Sequence, residues 1–146
     1  MMDNKNGFTL VEILITLSLF VILSSIVVSV PSNTYHKILL KSTAIEVKEA
    51  LYLSRQLSLD ESKSYCVELL GDKFRVREHI KDGEIVLSQQ LGKNISKSPK
   101  SEYRIAHSRD GETSYGKFIL VNKRGQKIDI EVLIGTGRIQ ISDIYD

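Results

Sequence analysis

The 146-residue chain has one cysteine, two prolines and nine glycines. A lone thiol, Cys66, excludes an internal disulfide framework and any cysteine-based zinc site. So few prolines and glycines exclude a linker-rich or low-complexity protein. An excess of one charge is missing too. Twenty Lys plus Arg against eighteen Asp plus Glu leave +2, so no overall field directs the chain to nucleic acid or lipid. Catalytic spacings are equally scarce. His36, His79 and His107 stand apart, without a His-x-x-x-His or Glu-x-x-His pattern for a metal. Each reads as an ordinary surface or strand histidine. Nucleophile-elbow, P-loop and dinucleotide fingerprints are absent. Cys66 alternates within an apolar strand and reads as a buried hydrophobe rather than a nucleophile. Neither catalysis nor a cofactor or metal is expected.

The first thirty residues hold most of the hydrophobicity. Ile13 to Val30 reads ILITLSLFVILSSIVVSV, eighteen residues without a charge. A helix over residues 8–30 is roughly 35 Å long, enough for a bilayer core of about 30 Å. A cleavable secretory signal fits poorly, because Val28-Ser29-Val30 is followed by Pro31. A plain anchor or a buried core helix has no use for Glu12. An ionisable group within a membrane helix costs about 2.5–3.5 kcal/mol on insertion scales and persists when it has a partner. No Lys or Arg lies within helical reach of Glu12 on the membrane side. A cut between Gly7 and Phe8 would supply one: the new α-amino group of Phe8 lies four residues before Glu12, on the same helix face. The pair can form within one chain or between two packed side by side.

Gly7-Phe8-Thr9-Leu10-Val11-Glu12, followed by an apolar run, resembles the class III signal of type IV pilins and type II secretion pseudopilins. The resemblance implies a leader at 1–7, scission after Gly7 by a prepilin peptidase, N-methylation of Phe8, and Glu12 as the residue that aligns incoming subunits. It implies a transmembrane and assembly helix at 8–30 and partners that are other pilin or pseudopilin subunits. Thr16, Ser18, Ser24, Ser25 and Ser29 put hydroxyls into that helix. They read equally as small packing positions, Ser25 and Ser29 above all, or as groups bonded back to their own backbone. Pro31 removes a donor and is expected to break the helix.

An amphipathic helix is expected over 31–60, with Leu40, Ala44, Val47, Leu51 and Leu57 on one face. The period then changes to two, and residues 61–146 read as a β head. Strands are expected at Ser64–Leu70, Phe74–His79, Glu84–Ser88, Tyr103–His107, Lys117–Asn122, Lys127–Ile134 and Arg138–Ser142. Ile128, Ile130, Val132 and Ile134 should share a face, and Gly92–Glu102 is the longest expected loop. Short connections imply an antiparallel meander covered by the preceding helix. The fold class is therefore α+β, a long N-terminal helix packed on an antiparallel head. Glu49–Leu59, with its Arg near the helix end, and Gly-x-Gly-Arg-Ile-x-Ile at 135–141 resemble the FimT/GspH-type minor pseudopilins, which carry a helix on antiparallel sheets.

One binding reading competes with pure assembly. Between Asp72 and Lys127 there are thirteen Lys plus Arg against seven Asp plus Glu. Lys93, Lys97, Lys100 and Arg104 gather in and beside the long loop, and a loop of that kind can neutralise phosphates. Some FimT-like minor pilins are DNA receptors and use bases near the C-terminus. Here Arg138 is the only base after Lys127, and the tail to Asp146 is acidic, a departure that also suits a plain solvated face. The resemblance implies a single-pass protein of the inner or cytoplasmic membrane, its head outside the cytoplasm, that then enters a surface or periplasmic filament. A pilus, a type II secretion pseudopilus and a competence pilus fit equally.

Overall fold

A computed structural model describes residues 9–27, 32–113, 115–134 and 137–146. The chain divides into two units, residues 1–35 and residues 36–146.

In the first unit, α1 spans Leu10–Val27. Its residues are apolar on every side, so no face is singled out for packing within the unit. Every described large apolar side chain from Leu10 to Leu23 is at least half exposed. The break expected at Pro31 falls outside the described residues.

α2 covers Ser32–Glu61, and its head portion buries one stripe. Leu40, Ala44, Val47 and Leu51 are inaccessible to solvent, as the spacing predicts, and Leu57 is half-buried against the core. The stripe continues through Ser54 and Ser58, both buried, where side-chain size rather than polarity decides the fit. Each hydroxyl bonds back to the helix, Ser54 to the Leu51 carbonyl and Ser58 to that of Ser54. Ser58 Oγ also accepts the Tyr65 N–H, tying the helix to the first strand. The helix ends at Ser62, whose φ of 52° is a left-handed cap.

Eight strands follow: β1 (Tyr65–Leu69), β2 (Lys73–Glu78), β3 (Ile85–Gln90), β4 (Ile95–Lys97), β5 (Arg104–His107), β6 (Gly116–Asn122), β7 (Lys127–Val132) and β8 (Ile139–Ile141). All pairings are antiparallel, but the single meander expected from the sequence is replaced by two four-stranded sheets. Their orders are β3-β2-β1-β5 and β4-β6-β7-β8. The chain changes sheet after β3, after β4 and after β5. The expected loop at Gly92–Glu102 contains β4, which pairs with β6 through Ile95↔Asn122 and Lys97↔Leu120. One buried isoleucine, Ile95, seats this strand, too little alternation to stand out among Lys, Asn and Ser. The inward face of β7 is Ile128, Ile130 and Val132, as expected. Ile134 lies beyond the strand end and is exposed.

The core joins α2 to both sheets, with Phe74, Val67 and Ile105 from one and Phe118, Leu120, Ile128 and Ile130 from the other. Cys66 is buried within β1, and burial pushes its thiol up, away from the thiolate. Glu68, also buried, is held by Arg75 of β2 at 2.6 Å.

Candidate functional site

Gly7 and Phe8, the expected processing pair, lie outside the described residues. Glu12 does not. Its Oε2 accepts the Thr9 N–H at 3.2 Å and the Thr9 hydroxyl at 3.3 Å, while Thr9 Oγ1 accepts the Glu12 N–H at 3.2 Å. This is a reciprocal capping box built on the Thr-x-x-Glu spacing. The spacing is visible in the sequence, and a search for a charge partner alone passes over it. The box places the carboxylate at the helix N-terminus, where the exposed backbone donors and the macrodipole favour negative charge. Glu12 is therefore partly satisfied within its own chain, and its second oxygen makes none of these contacts.

The hydroxyls along α1 follow the backbone-bonded alternative. Thr16 donates to the Glu12 and Ile13 carbonyls, Ser18 to Ile15 and Ser24 to Phe20. The Ser25–Ser29 pair falls outside what the structure describes of side chains. Among the described residues no helix is long and apolar enough to cross a membrane. At eighteen residues, α1 is about 27 Å long against a hydrocarbon core of about 30 Å. The expected span of 8–30 extends past the described helix at both ends.

The five basic candidates do not form one cluster. Lys93 is exposed in the turn before β4, Lys97 lies within β4, and Lys100 is exposed just after it. Lys97 Nζ reaches the Ser101 carbonyl at 3.5 Å. Arg104 is on β5 in the other sheet, opposite Glu68 in the register, so a buried carboxylate sits across the pairing from it. Arg138 precedes β8, at the far edge of the sheet whose other edge is β4. Two strands intervene, which sets these edges roughly 14 Å apart.

A basic residue the sequence reading did not single out completes a different grouping. Lys127 of β7 exchanges backbone hydrogen bonds with Tyr145, and its Nζ lies 5.7 Å from the Tyr145 ring. The Tyr145 hydroxyl donates to Asp129 at 2.7 Å. The C-terminal tail thus pairs antiparallel with β7 at Lys127, beside a cavity of about 320 Å³ lined by Ser98, Pro99, Lys100, Ile119, Lys127 and Tyr145. Nothing in the tail's periodicity marks it as a strand partner, because a single residue makes the bridge.

The histidines are expected to stand apart, but His79 and His107 line one cavity with Ser64 and Ser108. His79 is exposed, its pKa lowered by desolvation and by Arg104 and Arg77. His107 is buried, with Nδ1 2.8 Å from Ser54 Oγ. That hydroxyl has one proton. Donated to the Leu51 carbonyl, it leaves the oxygen to accept from His107 Nδ1–H, an arrangement with no activated nucleophile. Among the described residues no three His, Cys, Asp or Glu side chains gather as a metal site.

The family described as the prokaryotic N-terminal methylation motif matches residues 2–28. No curated protein sequence matches the chain. Among solved structures, the chain resembles the minor pseudopilin EpsH from the type 2 secretion system of Vibrio cholerae, with a TM-score of 0.58 and 9% identity. That match covers 71% of this chain and 96% of the other. The type IV minor pilin FimU of Pseudomonas aeruginosa matches with a TM-score of 0.57 and 13% identity, over 70% and 87% of the two chains. At such identities the likeness establishes the fold.

Proposed function

We propose that this chain, which carries the N-terminal methylation motif and the fold of the type IV pilin and pseudopilin family, is a minor subunit of a type IV or pseudopilus filament. A prepilin peptidase cuts after Gly7, Phe8 is N-methylated, and residues 8–30 hold the subunit in the inner or cytoplasmic membrane with its head outside the cytoplasm. The subunit then leaves lipid for the filament. Residues 31–60 carry the helix into the head formed by 61–146. The observation that carries this reading is a carboxylate, Glu12, at the start of a helix apolar on all sides, inside a matched methylation motif.

The mechanism is one of packing. In lipid, α1 is solvated by acyl chains; in the filament, the neighbouring subunits' helices replace them. Glu12 keeps its capping contacts with Thr9 and offers its remaining acceptor capacity to the Phe8 amine of a neighbour. A subunit out of axial register leaves both charges poorly paired in an apolar bundle, at a cost of several kcal/mol. Intact mass and N-terminal sequencing of the chain from its native membrane test this reading. A start at Phe8 with one added methyl is the expected result; a start at Met1 or Met2 in cells with active peptidase reduces residues 8–30 to an anchor.

DNA capture is the second reading. It draws on Lys100 and Lys127 around one cavity with the Tyr145 ring, where cations meet phosphates and a ring offers a stacking face. Binding of single-stranded DNA that falls steeply with salt and is lost in Lys100→Ala/Lys127→Ala supports it, and salt-independent or absent binding removes it.

A further inference from the structure

A cavity of about 330 Å³ opens in the head between Arg55 of α2, the turn after β5 at Asp110–Thr113, and Ile134 and Gly137 between β7 and β8. Among the described residues, two of its buried side-chain polar atoms lack a protein partner. Arg55 Nε and Thr113 Oγ1 are buried with no hydrogen-bond partner, and Thr113 is 7% exposed. Ser108 Oγ is in the same condition and lines an adjoining cavity that shares Glu112 and Thr113. Among the described residues, all the buried side-chain polar atoms left in this state lie at this one place.

The guanidinium is held there by shape. Gly137 has a φ of +60°, and a Cβ on it would fall 2.7 Å from the Arg55 Cζ and Nη1. The glycine therefore leaves room for the flat cation against bare backbone. Asp110 and Glu112 line the cavity, yet no carboxylate among the described residues lies within 4.0 Å of Arg55. A buried guanidinium N–H without an acceptor loses its hydration with nothing in return.

We propose that this cavity binds a carboxylate, with the Arg55 guanidinium and the Thr113 hydroxyl as its donors. A guanidinium presents parallel N–H groups that match the two oxygens of a carboxylate, and the hydroxyl adds a third donor. Asp110 and Glu112 at the rim select a monoanion over phosphate, because each added ligand charge meets two like charges. The volume equals that of about ten water molecules, enough for the end of an acidic side chain. The Arg55 charge is felt nearby: burial and then Arg55 hold His107 down at about 4. This inference goes beyond the filament reading and stands or falls separately from it. The carboxylate is either a free small acid or the Asp or Glu of another protein chain.

The test follows the Arg55 Nε–H and the Thr113 and Gly137 amide signals by NMR, on the full chain in detergent micelles at neutral pH. Acetate is titrated against chloride at equal ionic strength, and a capped aspartyl tripeptide forms a second arm. Saturable shifts with acetate or peptide and none with chloride are expected. Arg55→Gln and Thr113→Val should each weaken binding by about tenfold or more, with the amides of β6 and β7 unchanged to report an intact head. Tighter binding of the peptide than of acetate assigns the site to a protein partner, and the reverse assigns it to a free acid. Equal response to chloride, no response to either carboxylate, or unchanged affinity in Arg55→Gln overturns the proposal.

Discussion

Helix α1 and the head treat the same kinds of side chain in opposite ways. In the head, apolar residues recur with a period, and nearly every one on the inward face is withdrawn from solvent by another part of the unit: Leu51 and Phe118 are fully buried. In α1 there is no period, and Leu10 and Phe20 remain 77% and 70% exposed. The head satisfies its own hydrophobic surface. α1 leaves its apolar surface uncovered by the rest of its unit, and in the proposed reading lipid or other helices cover it, since without a preferred face it can take neighbours all round. Orientation must then come from something other than apolar pattern. In the filament reading proposed above, that role falls to the one ionisable group in α1, Glu12.

The largest effect should come from removing that group. Glu12→Ala is expected to abolish incorporation into filaments, scored by shearing and immunoblotting, while the thermal unfolding of the head stays unchanged. The lost capping box costs about 1 kcal/mol locally, too little to explain a total loss of assembly. Normal incorporation of the variant would take Glu12 out of the mechanism and make the capping box its whole role.

Phe118→Ala makes the converse cut. Phe118 of β6 is fully buried in the core that α2 and both sheets share, so its truncation should destabilise the head by about 3–5 kcal/mol. Denaturant unfolding of the full chain in micelles measures it, and peptidase cleavage after Gly7 should proceed as before. A processing defect in this variant would mean the two regions are coupled.

How far the sequence carried this division depends on how each residue signals. The apolar run after Ile13 and the alternation Ile128, Ile130, Val132 are repeated patterns, and both regions were legible from them. Gly7, Phe8 and Glu12 were legible as a motif. β4 was not, because one isoleucine, Ile95, anchors it. The two-sheet arrangement was not either: strand alternation tells which face is inward but not which strands pair, and the switch after β3 depends on long-range contacts. Ser54 and Ser58 are read as polar by any periodicity count, yet they continue the buried stripe because their hydroxyls bond back to the helix. The cavity at Arg55 joins residues far apart in sequence: the Arg near the helix end and the Gly-x-Gly at 135–137 were visible beforehand, but not that Arg55 and Gly137 meet.

His107 gives a smaller, pH-dependent difference between the regions. Its pKa falls from 6.5 to about 4 in the head, chiefly by burial and then by the Arg55 charge. The unfolded chain therefore binds a proton between pH about 6.5 and 4 that the folded head refuses. Head stability should be full above pH 6.5 and fall as pH drops towards 4, by up to about 3 kcal/mol. Melting of the head across this range checks it, and His107→Asn should flatten that part of the profile.

The smallest effect sharpens the comparison from within α1. Thr16 looks like a candidate for bonding to a neighbouring helix, but its hydroxyl already donates to the Glu12 and Ile13 carbonyls at 2.9 Å. A hydroxyl has one proton to give, and a bond to its own backbone leaves only its acceptor lone pairs for a neighbour. Neighbouring helices in an apolar bundle present few free donors to meet them. Thr16→Val, which keeps the shape and removes the hydroxyl, should change association by less than about 0.5 kcal/mol and leave filament yield within twofold. Together with a total loss in Glu12→Ala, that outcome would assign register to the carboxylate alone. A strong assembly defect in Thr16→Val would instead spread the recognition along α1, and the hydroxyls would be exchanging their backbone bonds for contacts between helices.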